Sequence, residues 1–568
     1  MVFMTRLWLG PSVRMSRQVV LASVVAGFSA LPATVRAQTD PVASRLRERV
    51  AALQAGSSVV HGTPVAARAI LTVFYTSRGF TPAWTDVTGR QLGEAIAASA
   101  EDGLRPADYH TAILTRLDSL IDEAPTPELM ADRDLLRSDA WLRLAYHLRY
   151  GKIEQKALEP AWVRGAKLGD SSAVLALSLA TDSAEVLPVL EAQRPQHPAY
   201  IGLRAALFNY RQLAAAGGWQ DIPKGPPLKP GMVDGRVPAL RQRLILTGDY
   251  AGGADTSSVL DSLTVRGLRH YQHRHGLEED GAMGEGTRRS LNVPVSRRID
   301  QIRVNLDRAR LDLRNLDSVY LDVNLPQFQV TEFDHGVPIW ISKVQVGQRD
   351  RKTPLFRTKM AAVVLNPTWT VPPTILSVDV IPGMRKSAKY LEKKGIDVYD
   401  KKGNPVDPTT IDWHTAGQDS FPYVLRQDAG DDNALGKVKF LIPNPWAIFM
   451  HDTPHRAAFK QSSRATSSGC IRVQLPMELA RIALGRNDST WTPERIDSSL
   501  ADGKTKTVAL KNGLPVRIEY RTAAVERDGL VYLLPDVYDR DARSIKVLNT
   551  PFGETLPPMP PDAPPKPG

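Results

Sequence analysis

At Ser318 the hydrophobic period of this chain changes from that of a helix to that of a strand, so its two halves cannot share one architecture. Before that point apolar residues recur three and four apart, or at multiples of a helical turn. Leu46, Val50 and Leu53 do so, as do Leu135, Leu142 and Ala145, and then Ile299, Ile302, Leu306, Ala309 and Leu313. That spacing lines one face of a helix. After it, Val319, Leu321, Val323 and Leu325 alternate with other residues, as do Ile339 with Ile341 and Val344 with Val346. Alternation of this kind marks strands with one buried face. The expected fold class is multidomain α+β: a helical scaffold and a small three-helix unit, followed by a β-rich domain.

Punctuation along the chain divides it further. Arg6, Arg14 and Arg17 precede an apolar run from Val19 to Ala30, and Val35-Arg36-Ala37 places small residues where a signal peptidase reads. Residues 1–37 are therefore expected to be a secretory leader, cleaved to leave Gln38 first and no integral membrane segment. Residues 38–230 read as the helical scaffold, with Tyr75, Trp84, Tyr109, Trp141, Tyr146 and Tyr150 as candidate core. Asp102 to Pro106 reads as a turn between helices, and Gly217-Gly218 with the prolines from Pro223 to Pro230 marks a boundary. Residues 231–296 form a compact unit, with one helix through Val237, Leu240, Leu244 and Leu246 and a second from Ser257 to His275. Residues 297–317 are expected to be a linker helix whose arginines lie on a solvated face. Residues 318–545 are the β-rich domain, interrupted at about 372–420 by a mostly helical insertion of the size of a lid. Residues 546–568 are a proline-rich tail of disordered composition.

The formal charge of +11 falls to +7 (11 − 4) once the four arginines of the leader are set aside. No basic block or nucleic-acid motif accompanies it, so nucleic acid is not an expected partner, whereas an anionic polymer such as cell wall is compatible. His270, His273 and His275 are the one dense histidine cluster, but no neighbouring acid completes a metal site, so no metal or organic cofactor is expected.

Cys470 is the sole cysteine of the chain, which excludes an internal disulfide. In an exported protein a single retained thiol points to use of its reactivity. It follows Ser467-Ser468-Gly469, a tight turn, and His451 stands nineteen residues earlier at the end of the apolar run Trp446 to Met450, which reads as a strand. An imidazole near a thiol can take its proton. Gly469 lets the backbone approach closely, so that the N–H groups of Gly469 and Cys470 can form an oxyanion hole, and Arg472 can grip a substrate carboxylate. The group that orients His451 is either a backbone carbonyl near Asp452 or the Asp452 side chain.

His451-Asp452-Thr453-Pro454 followed by Arg464-Ala465-x-Ser467-Ser468-Gly469-Cys470-Ile471-Arg472-Val473 resembles the catalytic motif of the L,D-transpeptidases. Val346-Gly347, the segment from Asn366 to Pro373, and Asn433-Ala434-Leu435-Gly436-x-Val438-Lys439-Phe440 agree with it. Around residues 233–293, Tyr271-Gln272, His275-Gly276-Leu277 and Asp280-Gly281 with Gly284 resemble the small peptidoglycan-binding domain. The whole is most similar to the long periplasmic members with a capping insertion. The resemblance implies Cys470 as nucleophile, His451 as base, Gly469 and Ser468 in the oxyanion turn, and Arg472 and Trp369 in substrate binding. It implies donor and acceptor peptidoglycan stem peptides as partners, a 3→3 cross-link as product, and a carbapenem as covalent inhibitor. Rival uses of the same residues are L,D-carboxypeptidase action, attachment of a protein to the wall, or a wall-binding scaffold without activity. Two departures stand out. Ser468 replaces the histidine that many smaller members carry there, and Phe449 stands where a tyrosine hydroxyl can assist the oxyanion.

Overall fold

The structure, a computed structural model, describes residues 40–153, 171–417, 421–525 and 529–552. The expected leader and most of the expected tail lie outside the described residues. The tail begins later than 546, because the chain is helical over Asp541–Asn549, with Ser544 and Leu548 buried.

Helices Pro41–Gln54 (α1), Arg68–Ser77 (α2), Asp86–Ala98 (α3), Thr111–Glu123 (α4), Pro127–Tyr150 (α5), Ser171–Asp182 (α6) and Val186–Glu191 (α7) surround one core, with a two-stranded ribbon of Val59–Val60 (β1) and Thr63–Pro64 (β2). Tyr75, Trp84, Tyr109 and Trp141 are buried in it, whereas Tyr146 and Tyr150 lie at its rim. The next helix, Pro198–Ala215 (α8), belongs to a different core. Its Tyr200, Leu203, Leu207 and Tyr210 pack on Ile302, Leu306 and Ala309 and on Ala523, Val531 and Leu533.

The compact unit has helices Val237–Leu246 (α9), Ser262–Arg274 (α10) and Glu285–Leu291 (α11) around Leu240, Leu244, Leu268, Tyr271 and Leu291. The second helix starts at Ser262, not Ser257, because the Asp261 carboxylate caps it by accepting from Thr264 N at 2.7 Å. Val259 is therefore outside the helix and 40% exposed. The linker helix spans Val295–Asp312 (α12), and its arginines do not form a solvated face. Arg298, Arg308 and Arg310 are buried; Arg308 pairs with Asp541 at 2.7 Å and Arg310 with Asp307 at 2.9 Å. A helix wedged between two domains has no free face, and its charges meet partners from both sides.

The β-rich domain consists of Val319–Asn324 (β3), Gln329–Asp334 (β4), Val337–Gly347 (β5), Phe356–Leu365 (β6), Trp369–Thr370 (β7), Asp397–Tyr399 (β8), Val424–Gln427 (β9), Val438–Leu441 (β10), Met450–His451 (β11), Ala465–Ser467 (β12), Ile471–Val473 (β13), Lys506–Glu519 (β14), Ala523–Val525 (β15) and Val531–Leu533 (β16). The main sheet runs β12-β5-β13-β11-β10-β6-β14-β3-β4, and β4 returns to pair with β5, closing it. Closure removes the open edges that would invite association. Val323, Val344, Val363, Phe440, Met450 and Ile471 fill the interior. The insertion is not mostly helical. A helical run over 373–386 and a turn of helix at Tyr390–Lys394 lean on a sheet of order β7-β9-β8. Val380, Ile381, Leu391, Val398, Trp413 and Leu425 form its own core. Strands β7 and β9 at its two ends pair with each other, so the unit spans 369–427 rather than 372–420.

Candidate active site

Strand register decides which side chains meet. In the parallel pair β11–β13, Met450 is opposite Ile471 and His451 opposite Arg472. In the antiparallel pair β10–β11, Phe440 is opposite Met450 and Lys439 opposite His451. Partners in register share a face, and neighbours along a strand alternate. Phe440, Met450 and Ile471 therefore point into the core, where all are fully buried. Lys439, His451 and Arg472 share the other face. Phe449, two residues before His451, joins them, with its ring 5.6 Å from the imidazole. Cys470 stands two residues before Arg472, and its half-buried thiol approaches the Ala447 carbonyl at 4.0 Å. Thus Cys470, His451 and Arg472 converge on one face. The run from Trp446 to Phe449, expected as strand, is irregular instead, because the Asn444 side chain takes Trp446 N at 3.0 Å and Ile448 N at 3.1 Å.

The turn before Cys470 is held from several sides. Ser467 Oγ donates to the Cys470 carbonyl at 2.6 Å and accepts from Gly469 N at 3.2 Å, and Thr353 Oγ1 donates to the Gly469 carbonyl at 2.8 Å. Gly469 has φ 117°, and a Cβ there would stand 3.1 Å from Ile448 Cδ1, so both backbone and space call for glycine. Because Gly469 N–H is engaged, Cys470 N–H is the donor of that expected pair left for an oxyanion. Ser468 accepts from Arg351 Nη1 at 2.8 Å, and the same guanidinium binds Asp379 of the insertion at 2.9 and 3.3 Å. Sequence reasoning missed Arg351 and Asp379. Each is remote from the motif and becomes relevant only through this bridge.

His451 is buried, and its Nδ1 lies 2.5 Å from the Asp452 carbonyl oxygen. The orienting group is thus a backbone carbonyl, to which Nδ1–H donates. The Asp452 carboxylate is committed elsewhere, accepting from Thr453 N at 2.6 Å, Lys437 N at 2.9 Å and Arg456 Nη2 at 2.5 Å. Burial, then the Arg472 charge and Lys439, push the imidazole down to about 3, against the pull of the Asp452 and Leu435 carbonyls. Burial pushes the Cys470 thiol up, while the Phe449 backbone, Lys439 and Arg472 draw it back. Arg472 has no carboxylate partner among the described residues. Its Nη1 meets Gln345 Oε1 at 3.3 Å and its buried Nε has no partner there. Trp369, by contrast, packs on the core of the insertion. His270 pairs with Asp249 and His273 with Glu279, each at 2.8 Å, and His275 stacks on Tyr271. Among the described residues no group of three or more His, Cys, Asp or Glu side chains could hold a metal ion.

Comparison with known proteins agrees with this layout. Residues 318–508 match the family described as "L,D-transpeptidase catalytic domain". Residues 234–291 match the "Putative peptidoglycan binding domain" and residues 69–207 the "Scaffold domain". A curated Haemophilus influenzae protein named "Putative L,D-transpeptidase" is 39% identical over 219 residues, 39% of this chain and 44% of the relative. The chain thus spans less than half the length of that relative. Crystal structures of L,D-transpeptidases from Xylanimonas cellulosilytica and Stackebrandtia nassauensis are each 12% identical. The first covers 52% of this chain and 99% of its own with a TM-score of 0.16, the second 53% and 97% with a TM-score of 0.20. TM-scores this low have no bearing on the fold.

Proposed function

Since the chain carries an L,D-transpeptidase catalytic domain together with a domain of the peptidoglycan-binding type, we propose that it cross-links peptidoglycan stem peptides through Cys470. The observation that carries this reading is the convergence of a half-buried thiol, a buried imidazole and an arginine without an acidic partner among the described residues on one face of β11 and β13. Arg472 receives a carboxylate of the donor stem. Cys470 attacks the carbonyl of the third residue, the C–N bond to the terminal D-alanine breaks, and the thiol proton passes through His451 to the leaving amine. The thioester then acylates the side-chain amine of an acceptor stem, giving a 3→3 link and regenerating the thiol.

Charge governs how His451 serves. Arg472 and Lys439 disfavour imidazolium, so the resting pair is thiol and neutral imidazole rather than thiolate and imidazolium. A substrate carboxylate on Arg472 offsets one of those two cations, which raises the imidazole's proton affinity when substrate is present. His451 is the one base the motif offers, because Ser468 has taken the histidine position beside Gly469. Cys470 N–H donates to the developing oxyanion, Phe449 lacking a hydroxyl. The insertion at 369–427 acts as a lid that shields the thioester from water, and the unit at 231–296 holds the chain on the wall, outside the cytoplasm and after loss of its leader.

The mass of the full chain after incubation with a carbapenem tests this. One adduct at Cys470, absent in Cys470→Ala, is expected, along with 3→3 dimers in wall digests. Trimmed tripeptide without dimer at high acceptor would move the assignment to L,D-carboxypeptidase. A protein that forms no adduct and leaves wall unchanged would be a binding scaffold.

A further inference from the structure

Lys439 occupies a place in the site that its sequence motif does not assign. It lies on β10 directly opposite His451, and its ammonium rests 4.0 Å over the centre of the Phe449 ring. Among the described residues no carboxylate pairs with it. A half-buried ammonium without an acid, seated on an aromatic face beside a nucleophile, has given up part of its hydration and kept only the ring quadrupole in return. Such a charge calls for an anion, and the one that forms on this face is the Cys470 thiolate.

From this placement we propose that Lys439, held on the Phe449 ring, is the positioning residue that supports the Cys470 thiolate. The proposal rests on Cys470 as nucleophile. The reason is electrostatic. A His451 that remains neutral contributes no positive charge to the resting site. Two cations on the face remain, and Arg472 is the one free to receive substrate. That leaves Lys439, seated on the Phe449 ring, as the cation of this face not assigned to substrate. The thiol and the ammonium act on each other: Lys439 draws the Cys470 value down, and a Cys470 anion draws the lysine back up against burial. The aromatic ring fixes the ammonium's position, which accounts for a phenyl group serving where a phenol is expected. The other titratable or charged groups on this face are His451 on β11 and Arg472 on β13. Arg351 reaches the turn through Ser468, with Asp379 of the insertion neutralising it.

Cys470 is the sole thiol, so its alkylation reports one group in the intact full-length protein without any wall substrate. Iodoacetamide, a neutral reagent, is used across pH, with the adduct read by mass. Lys439→Met should move the alkylation midpoint to higher pH by roughly one unit, which is about tenfold less thiolate at a fixed pH below it. Lys439→Arg should return the midpoint to near wild type. Phe449→Leu, which keeps the charge but removes its platform, should move it the same way by less. A midpoint unmoved in Lys439→Met overturns the proposal, as does a rise in KM for stem peptide with the midpoint fixed, which would make Lys439 a substrate-binding residue. Should Lys439→Met lack a cooperative melt, Lys439→Gln is judged by the same midpoint. Failure of the transpeptidase reading would instead show as Cys470→Ala retaining wall activity.

Discussion

Under the proposed function two residues, Cys470 and His451, decide the chemistry, and their surroundings set its pH dependence. Cys470→Ala should abolish acylation by a carbapenem while leaving the fold intact, since the side chain is half-buried and small. His451→Ala should slow acylation by about 10²–10⁴-fold, the usual contribution of a general base; stopped-flow acylation at the wild-type rate would remove His451 from the mechanism. The imidazole's depressed value has a sign that can be checked. Because it becomes protonated only near about 3, the acylation rate should show no fall near pH 6.5 on acidification caused by this ring. The rate should rise with pH through the thiol's own titration, which burial places higher than usual. A bell with an acidic limb at 6.5 would mean that the imidazole is not held neutral. Gly469→Ala should cost both stability and rate, because alanine at φ 117° is strained and its Cβ meets Ile448. A loss of about 1–3 kcal/mol in thermal unfolding is expected.

At the scale of elements, the insertion carries its own core and its ends are tied by the β7–β9 pair. Excision over 369–427 should therefore spare the cooperative unfolding of the closed sheet, whereas a cut at 372–420 strands β9 and should aggregate. The excised enzyme should hydrolyse donor stems in preference to joining them, since water then reaches the thioester. An unchanged ratio of dimer to tripeptide would end the lid interpretation. Arg351 links the insertion to the turn before Cys470 by binding Asp379 and Ser468 at once. Asp379→Asn weakens one arm of that bridge and should raise amide hydrogen exchange over 373–386.

At the scale of the molecule, α12 is the spine. On one side Asp307 accepts from Lys152 N at 2.7 Å and Ile153 N at 3.1 Å, and Arg310 donates to the Asp102 carbonyl. On the other, Asn305 Nδ2 donates to Thr522 Oγ1 at 2.7 Å, and Gln301 to the carbonyls of Thr522 and Leu534, each at 2.8 Å. Asp102, expected only as part of a turn, is fully buried and accepts from Arg194 at 3.0 Å and Tyr200 at 2.9 Å. The small unit is docked as well, since the buried Arg274 binds Asp249 and donates to the Val531 carbonyl. Arg310→Met leaves buried Asp307 without its cation and should cost about 3–5 kcal/mol. Calorimetry should show the scaffold and the sheet parting, with Cys470 alkylation unchanged.

Features with a short reach were legible in the residues. The change of period at Ser318 separates helix from strand, because each regular structure repeats within a few residues. The turn around the lone thiol could be read from Ser467 to Arg472, because Gly469 next to Cys470 is a local statement. Features joining distant segments were not. The carbonyl that orients His451, the ammonium of Lys439 opposite it and the Arg351 bridge to the insertion follow from strand register and closure of the sheet. The arginines of α12 have the spacing of a solvated face, yet they are buried because two domains pack on them. A helical period reports which residues share a side, but what lies against that side is set only when the rest of the chain has folded around it.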